Sequence, residues 1–142
     1  MNYGQHKVTL LLVILSVAVI SCKSTKSNTG TGTTDARAAA NHVLSQYEAG
    51  EFSQIYKESA PVFKQTGPEA NFVAQFQQTL KKTGKFKSQK ESSNESRPDN
   101  TYVLTYRMEN DRFTSDIHLT FTRSKDGKME LAGIHEHDDP KK

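Results

Sequence analysis

The 142-residue chain contains one cysteine and no tryptophan. A single thiol excludes an intrachain disulfide framework and any cysteine-rich zinc site. An excess of charge of one sign is also missing from most of the chain. Lys and Arg total 19 and Asp and Glu total 16, but Lys7, Lys23 and Lys26 all precede residue 35, which leaves 16 of each sign from there on. Such a balance supplies no global field to draw the domain to nucleic acid or to an anionic membrane. The signs also alternate along the chain, the pattern of a solvated surface. No Gly-rich phosphate loop, nucleophile elbow or zincin motif occurs. The length gives room for one domain and not two.

What is present begins with the only long hydrophobic run. Met1–Lys7 is short and polar, and Val8–Ile20 is then apolar apart from Thr9 and Ser16. A run of about thirteen residues, at ~1.5 Å rise each, is too short to cross a hydrocarbon core comfortably. A positive n-region, a short apolar stretch and the small residue Ser21 form a secretory signal. The tetrad "VISC", Val19–Cys22, resembles the bacterial lipobox. That resemblance implies cleavage between Ser21 and Cys22, diacylglycerol on the Cys22 thiol and acylation of the new amino terminus. The chain is then expected to lie in the bacterial cell envelope, held to a membrane by lipid and facing away from the cytoplasm. Lys23 stands where lipoproteins retained in an inner membrane often carry Asp. Where two membranes exist, the resemblance therefore points to the outer one. Residues 22–34, the cysteine and the Ser/Thr/Gly-rich "KSTKSNTGTGTT", read as a tether. Its twelve linker residues have a reach of roughly 20 Å.

Residues 35–137 read as one α+β domain, with 138–142 as a loose tail. Asp35 is a good N-cap, and Ala36, Ala39, Ala40, Val43, Leu44 and Tyr47 follow at helical spacing. Phe52, Ile55, Tyr56 and Ser59 mark a second, shorter helix that Pro61 ends. "TGPE", Thr66–Glu69, has the form of a capping box opening a third helix with the stripe Phe72, Val73, Phe76 and Leu80. From Phe86 the period changes to alternation. Four strands are predicted, the last two joined by the turn "KDGK", with a bulge at Gly133. The expectation is about three N-terminal helices on one face of a curved four-stranded antiparallel sheet.

The order of these elements resembles the nuclear-transport-factor-two-like, or cystatin-like, cone. "YEAGEFSQIYKESAPVFK", "FVAQFQQTLKKTGKF", "TYVLTYRM" and "DGKMELAGIHEH" resemble a family of small secreted bacterial proteins of unknown function with that fold. The resemblance implies a fold and brings no activity with it. In such cones a pocket between sheet and helices can hold an apolar small molecule.

Two constellations are candidates for chemistry. Tyr47, Tyr56, Tyr102 and Tyr106 are predicted to point inward, where their hydroxyls could donate to a ligand or simply pack and meet water at the rim. Neither an acid nor a base is predicted on that inner face. The second constellation is "HEH". His135 and His137 lie on one face of a strand, and the hairpin register puts His118 opposite His135 and Asp116 opposite His137. Three histidines and a carboxylate suit zinc or copper, although the bland reading is four solvated side chains. The expected role is non-catalytic, binding a small ligand or an envelope protein and using no cofactor beyond the acyl chains on Cys22. The alternatives are a metal-binding protein using the His/Asp face and an isomerase- or dehydratase-like enzyme. Nucleic acid is not an expected partner.

Overall fold

The computed structural model describes residues 29–140. The expected signal sequence, the cleavage site at Ser21, the lipid attachment point Cys22 and the beginning of the tether lie outside the described residues. Four helices come first among the described residues: α1 (Thr29–Ala49), α2 (Phe52–Glu58), α3 (Pro61–Lys64) and α4 (Glu69–Thr83). Four strands follow: β1 (Phe86–Ser96), β2 (Thr101–Asn110), β3 (Phe113–Arg123) and β4 (Met129–Pro140). They form one antiparallel meander in the order β1-β2-β3-β4. The expected α+β architecture is therefore present, and it is consistent with a cone-like fold.

The core lies between the helices and one face of the sheet. Ala36, Ala40, Val43, Leu44 and Tyr47 line the buried stripe of α1, spaced as a 3.6-residue period requires. Leu104, Met108, Ile117, Leu119 and Phe121 alternate on the inner face of β2 and β3, each no more than 1% exposed. Phe72 and Phe76 of α4 meet Tyr47, Phe52, Tyr56 and Phe63 in an aromatic cluster with centroid separations of 4.7–5.9 Å. Edge-to-face and tilted pairs of this kind add to simple area burial. β1 is an exposed edge, tied to α1 where Arg37 forks onto both oxygens of Glu91 at 2.9 Å.

The structure departs from the sequence reading in four places. First, α1 is helical from Thr29, the first described residue, so Thr29–Thr34 of the expected tether is helix. Asp35 is then inside the helix and pairs with Arg123 at 2.7 Å instead of capping. The reason is close packing at Gly32, which lies against the Tyr102 ring so tightly that a Cβ there would run into the phenol. Gly32→Ala is expected to lower stability, because overpacking of about 1–3 kcal/mol exceeds the helix-propensity gain of about 1 kcal/mol. Urea denaturation would show it; an unchanged midpoint is what a loose tether would give.

Second, the "TGPE" capping box does not form. Thr66 Oγ1 donates backward to Phe63 O at 2.7 Å, and Pro68 holds the cap position of α4. Third, Pro61 does more than end the second helix. It opens the one-turn α3, where its missing N–H is no loss. Fourth, the expected loose tail is partly strand. β4 runs to Pro140, and Asp138 is held by Lys82 Nζ at 2.9 Å and Ser115 Oγ at 2.8 Å.

The hairpin register has consequences for the site. The β3–β4 turn has three residues, Lys125, Asp126 and Gly127, with Gly127 at φ +86°, where a side chain would be strained. The bulge falls beside the expected Gly133. Phe121 pairs with Leu131 and Thr120 with Gly133, leaving Ala132 as the extra residue. An extra residue reverses which side chains face inward. Leu131 is therefore followed on the inner face by Ile134, Glu136 and Asp138.

Candidate functional site

Helices α1 and α2 cross above the base of the β3–β4 hairpin and leave a partly open cavity of about 260 Å³. Its floor is apolar, made by Val43 of α1, Ile55 of α2, Phe121 of β3, and Met129 and Leu131 of β4. Polar groups gather at its rim. His42 and Gln46 stand one helical turn apart on α1, Glu58 ends α2, and Lys128 immediately precedes β4. His42 Nε2 lies 2.8 Å from Glu58 Oε2, and Gln46 Nε2 donates to the same oxygen at 3.0 Å. Gln54 Nε2 donates to Glu58 Oε1 at 2.6 Å. The hydrogen bonds from Gln54, Gln46 and His42, in that order of weight, hold the Glu58 carboxyl at about 2. Gln46 itself is only 6% exposed, and among the described residues no hydrogen-bond partner reaches its Oε1.

None of the four candidate tyrosines lines this cavity. Tyr47 is buried and donates to Glu136 Oε2 at 2.8 Å. Burial, with the nearby Glu136 charge, pushes its phenol well above the usual range. Tyr56 donates to Gly67 O at 2.8 Å, pinning the α3–α4 connection. Tyr102 packs on Gly32, and Tyr106 is 5% exposed within the core. All four point inward as expected, and they serve packing and internal hydrogen bonds at these positions.

The expectation of an inner face without acid or base is corrected by the bulge. Glu136 sits opposite the fully buried Ile117, and Asp138 opposite the fully buried Ser115. The two carboxyls line a separate, more polar cleft of about 130 Å³ between α4 and β4, with Gln75 and Thr79. Burial pushes Glu136 above the ordinary carboxyl value of 4.5, against the hydrogen bond from Tyr47. Burial also pushes Asp138 upward, but the hydrogen bonds from Lys82 and Ser115 outweigh it and leave that group below its ordinary value. Neighbouring carboxyls pushed in opposite directions form a pair able to hold one proton.

That pair has a pH signature. A carboxyl raised in the folded state stabilises the fold fully below its unfolded value and loses that contribution as pH rises through its folded value. Stability is therefore expected to fall as pH rises above about 4.5, the ordinary value for Glu136. Glu136→Gln keeps an acceptor for Tyr47 and is expected to flatten that part of the curve. Urea denaturation from pH 4 to 8 reads it directly, and parallel curves for the two proteins would remove Glu136 as the cause.

The histidine register forms as expected, with His118 opposite His135 and Asp116 opposite His137. The polar atoms nevertheless go elsewhere. His118 Nδ1 lies 2.9 Å from Thr105 Oγ1, and Asp116 accepts from Arg107 at 3.0 Å. The His118 and His135 rings lie 6.3 Å apart, roughly stacked, and His137 approaches Asp139 at 3.7 Å. Among the described residues, no group of three or more His, Cys, Asp or Glu side chains is placed to hold a metal ion. Across a strand pair, Arg107 and Thr105 are simply nearer partners for Asp116 and His118 than the histidines of β4.

His42, Gln46 and Glu58 were not singled out as site residues by sequence reasoning. The available signal was the i, i+4 pair of His42 and Gln46 beside the apolar stripe of α1, facing the short second helix.

A helical layer on an antiparallel meander, with an apolar cavity under the helices, is a small α+β domain consistent with a cone-like fold. Residues 40–134, about two thirds of the chain, match the family described as "Protein of unknown function (DUF3887)", and the chain belongs to that family. No curated protein matches the chain. Among the described residues, no helix is long and apolar enough to cross a membrane.

Proposed function

We propose that this protein is a cell-envelope lipoprotein whose domain is a non-catalytic binding module for a small, largely apolar molecule. The cavity beneath α1 and α2 carries the reading. It offers an apolar floor for the body of a ligand and a few polar groups at one side to orient it, the usual anatomy of a ligand site. Its volume of about 260 Å³ falls just below the range of about 300–1,000 Å³ usual for that class. The carboxyl pair Glu136 and Asp138 lines the other cleft, and the acid–base groups at this cavity, His42 and Glu58, are paired with each other at 2.8 Å.

Anchoring is proposed from the sequence. The charged amino end, the short apolar run and "VISC" support acylation at Cys22, and Lys23 favours the outer membrane where two membranes exist. Only the six residues Lys23–Asn28 lie in sequence between Cys22 and the described residues of α1. Six residues span at most ~22 Å even if fully extended. The domain would then work close to the lipid surface, on a small molecule or on an envelope protein that delivers one.

The cavity has a built-in reporter. Of the three methionines, Met129 lines it, and Met108 is buried on β2 without lining it. The full chain carrying ¹³C-methyl methionine, held in phospholipid nanodiscs, is titrated with cyclohexane at measured free concentration. The expected result is a saturable shift of the Met129 methyl with Met108 little changed. Equal or absent responses at the two would remove the cavity as a binding site.

A further inference from the structure

We infer that the end of the domain built by the β1–β2 loop and the β3–β4 turn lies against the lipid headgroups; this rests on the lipid-anchor reading above. The meander sends both connections to one end of the sheet. Ser96 pairs with Tyr102 at the close of β1, and Arg123 pairs with Met129 where β3 passes into β4. The start of α1 is fastened to that same end. Gly32 lies against the Tyr102 ring, and Asp35 accepts a hydrogen bond from Arg123 Nη2 at 2.7 Å. The opposite end carries the β2–β3 turn, where Arg112 N donates to Thr83 O at the close of α4. Helix α1 runs toward it, and Tyr47 near its last turn donates to Glu136 at 2.8 Å.

The length of chain before α1 determines which end reaches the membrane. The six residues Lys23–Asn28 span at most ~22 Å. Helix α1 has 21 residues, so its two ends lie about 31 Å apart. Turning the opposite end of the domain to the lipid would lift Thr29 by about the length of α1 above the headgroups, further than six residues reach. The orientation inferred here needs no such stretch. Charge adds to it. Arg97 is paired with Glu95, and Arg123 with Asp35. The ammonium groups of the exposed Lys125 and Lys128 form no ion pair or hydrogen bond among the described residues. Lys23 and Lys26 lie in the six-residue stretch itself. Lysines beside an anionic headgroup layer are attracted to it within a Debye length, ~8 Å at physiological salt. The domain is neutral as a whole, so these lysines orient it after the anchor has brought it to the surface. Lys128 and Met129 also line the cavity, which puts that wall of the cavity on the lipid side.

The test reads distance from the lipid at two methionines. Met129 pairs with Arg123 and Met108 with Ser115, eight residues back along β3, a separation of about 26 Å along the strand. The full chain, acylated in a bacterium that processes lipoproteins and carrying ¹³C-methyl methionine, is held in nanodiscs of phosphatidylcholine and phosphatidylglycerol. A small share of the lipids bears a gadolinium chelate on the headgroup. Paramagnetic relaxation falls steeply with distance, so the enhancement at the Met129 methyl is expected to exceed that at Met108 by about tenfold or more, given their separation along the strand. Equal enhancements, or a larger one at Met108, on a chain that co-elutes with the discs would overturn the orientation and leave the anchor standing. A chain that does not co-elute with the discs would overturn the anchor itself, and this inference with it.

Discussion

Phe121→Ala is expected to cost about 3–5 kcal/mol of stability, the range for truncating a fully buried aromatic ring. Phe121 is 0% exposed and pairs across the bulge with Leu131. Its ring joins the sheet to the helical layer and forms part of the cavity floor. Truncation removes the transfer free energy of the ring and enlarges a space that is already partly open. Neighbouring side chains have little freedom to refill it, because Leu104, Leu119 and Leu131 are set by the strand pairing around them. Urea denaturation would read the loss, with Lys125→Ala in the exposed turn as a control expected to stay within about 0.5 kcal/mol. A loss below about 1 kcal/mol for Phe121→Ala would mean that the core is not centred on the sheet–helix contact described here.

Cys22→Ala is expected to move the protein out of the membrane fraction almost completely. Each buried methylene contributes about 0.8 kcal/mol, so one acyl chain binds only marginally while two or three anchor stably. The charges of the domain balance, and no helix among the described residues is long and apolar enough to cross a membrane. The measurement is detergent phase partitioning of protein expressed in a bacterium that processes lipoproteins. A Cys22→Ala protein that partitions with detergent as fully as the unaltered chain would point to an uncleaved signal anchor instead of lipid.

The architecture was readable because hydrophobic periodicity is a local signal. Ala36, Ala40, Val43 and Tyr47 mark a helix face, and Leu104 to Met108 and Ile117 to Phe121 mark strand faces, whatever surrounds them. The His118–His135 and Asp116–His137 pairs were legible because they depend only on turn length and one bulge. Long-range packing was not legible. Nothing near Gly32 announces that Tyr102, seventy residues away, will hold a Ser/Thr/Gly stretch as helix. The inward position of Glu136 was available in principle, since the same register that pairs His135 with His118 places Glu136 opposite Ile117. It escaped notice because a carboxylate between two histidines reads as solvated surface. The cavity depends on where α2 ends relative to the β3–β4 hairpin, and no spacing rule encodes that. Gln46 and Glu58 become a hydrogen-bonded pair only when two helices cross.

The central claim is that the cavity under α1 and α2 holds a small molecule in the living cell. Native mass spectrometry of the protein extracted from its own membrane tests it most directly, alongside an Ala39→Phe variant that narrows the space from the α1 side. The account predicts a noncovalent adduct on the unaltered protein that is lost from the variant, with acyl chains present on Cys22 in both. Identical adduct patterns in the two proteins, or none in either, would contradict it.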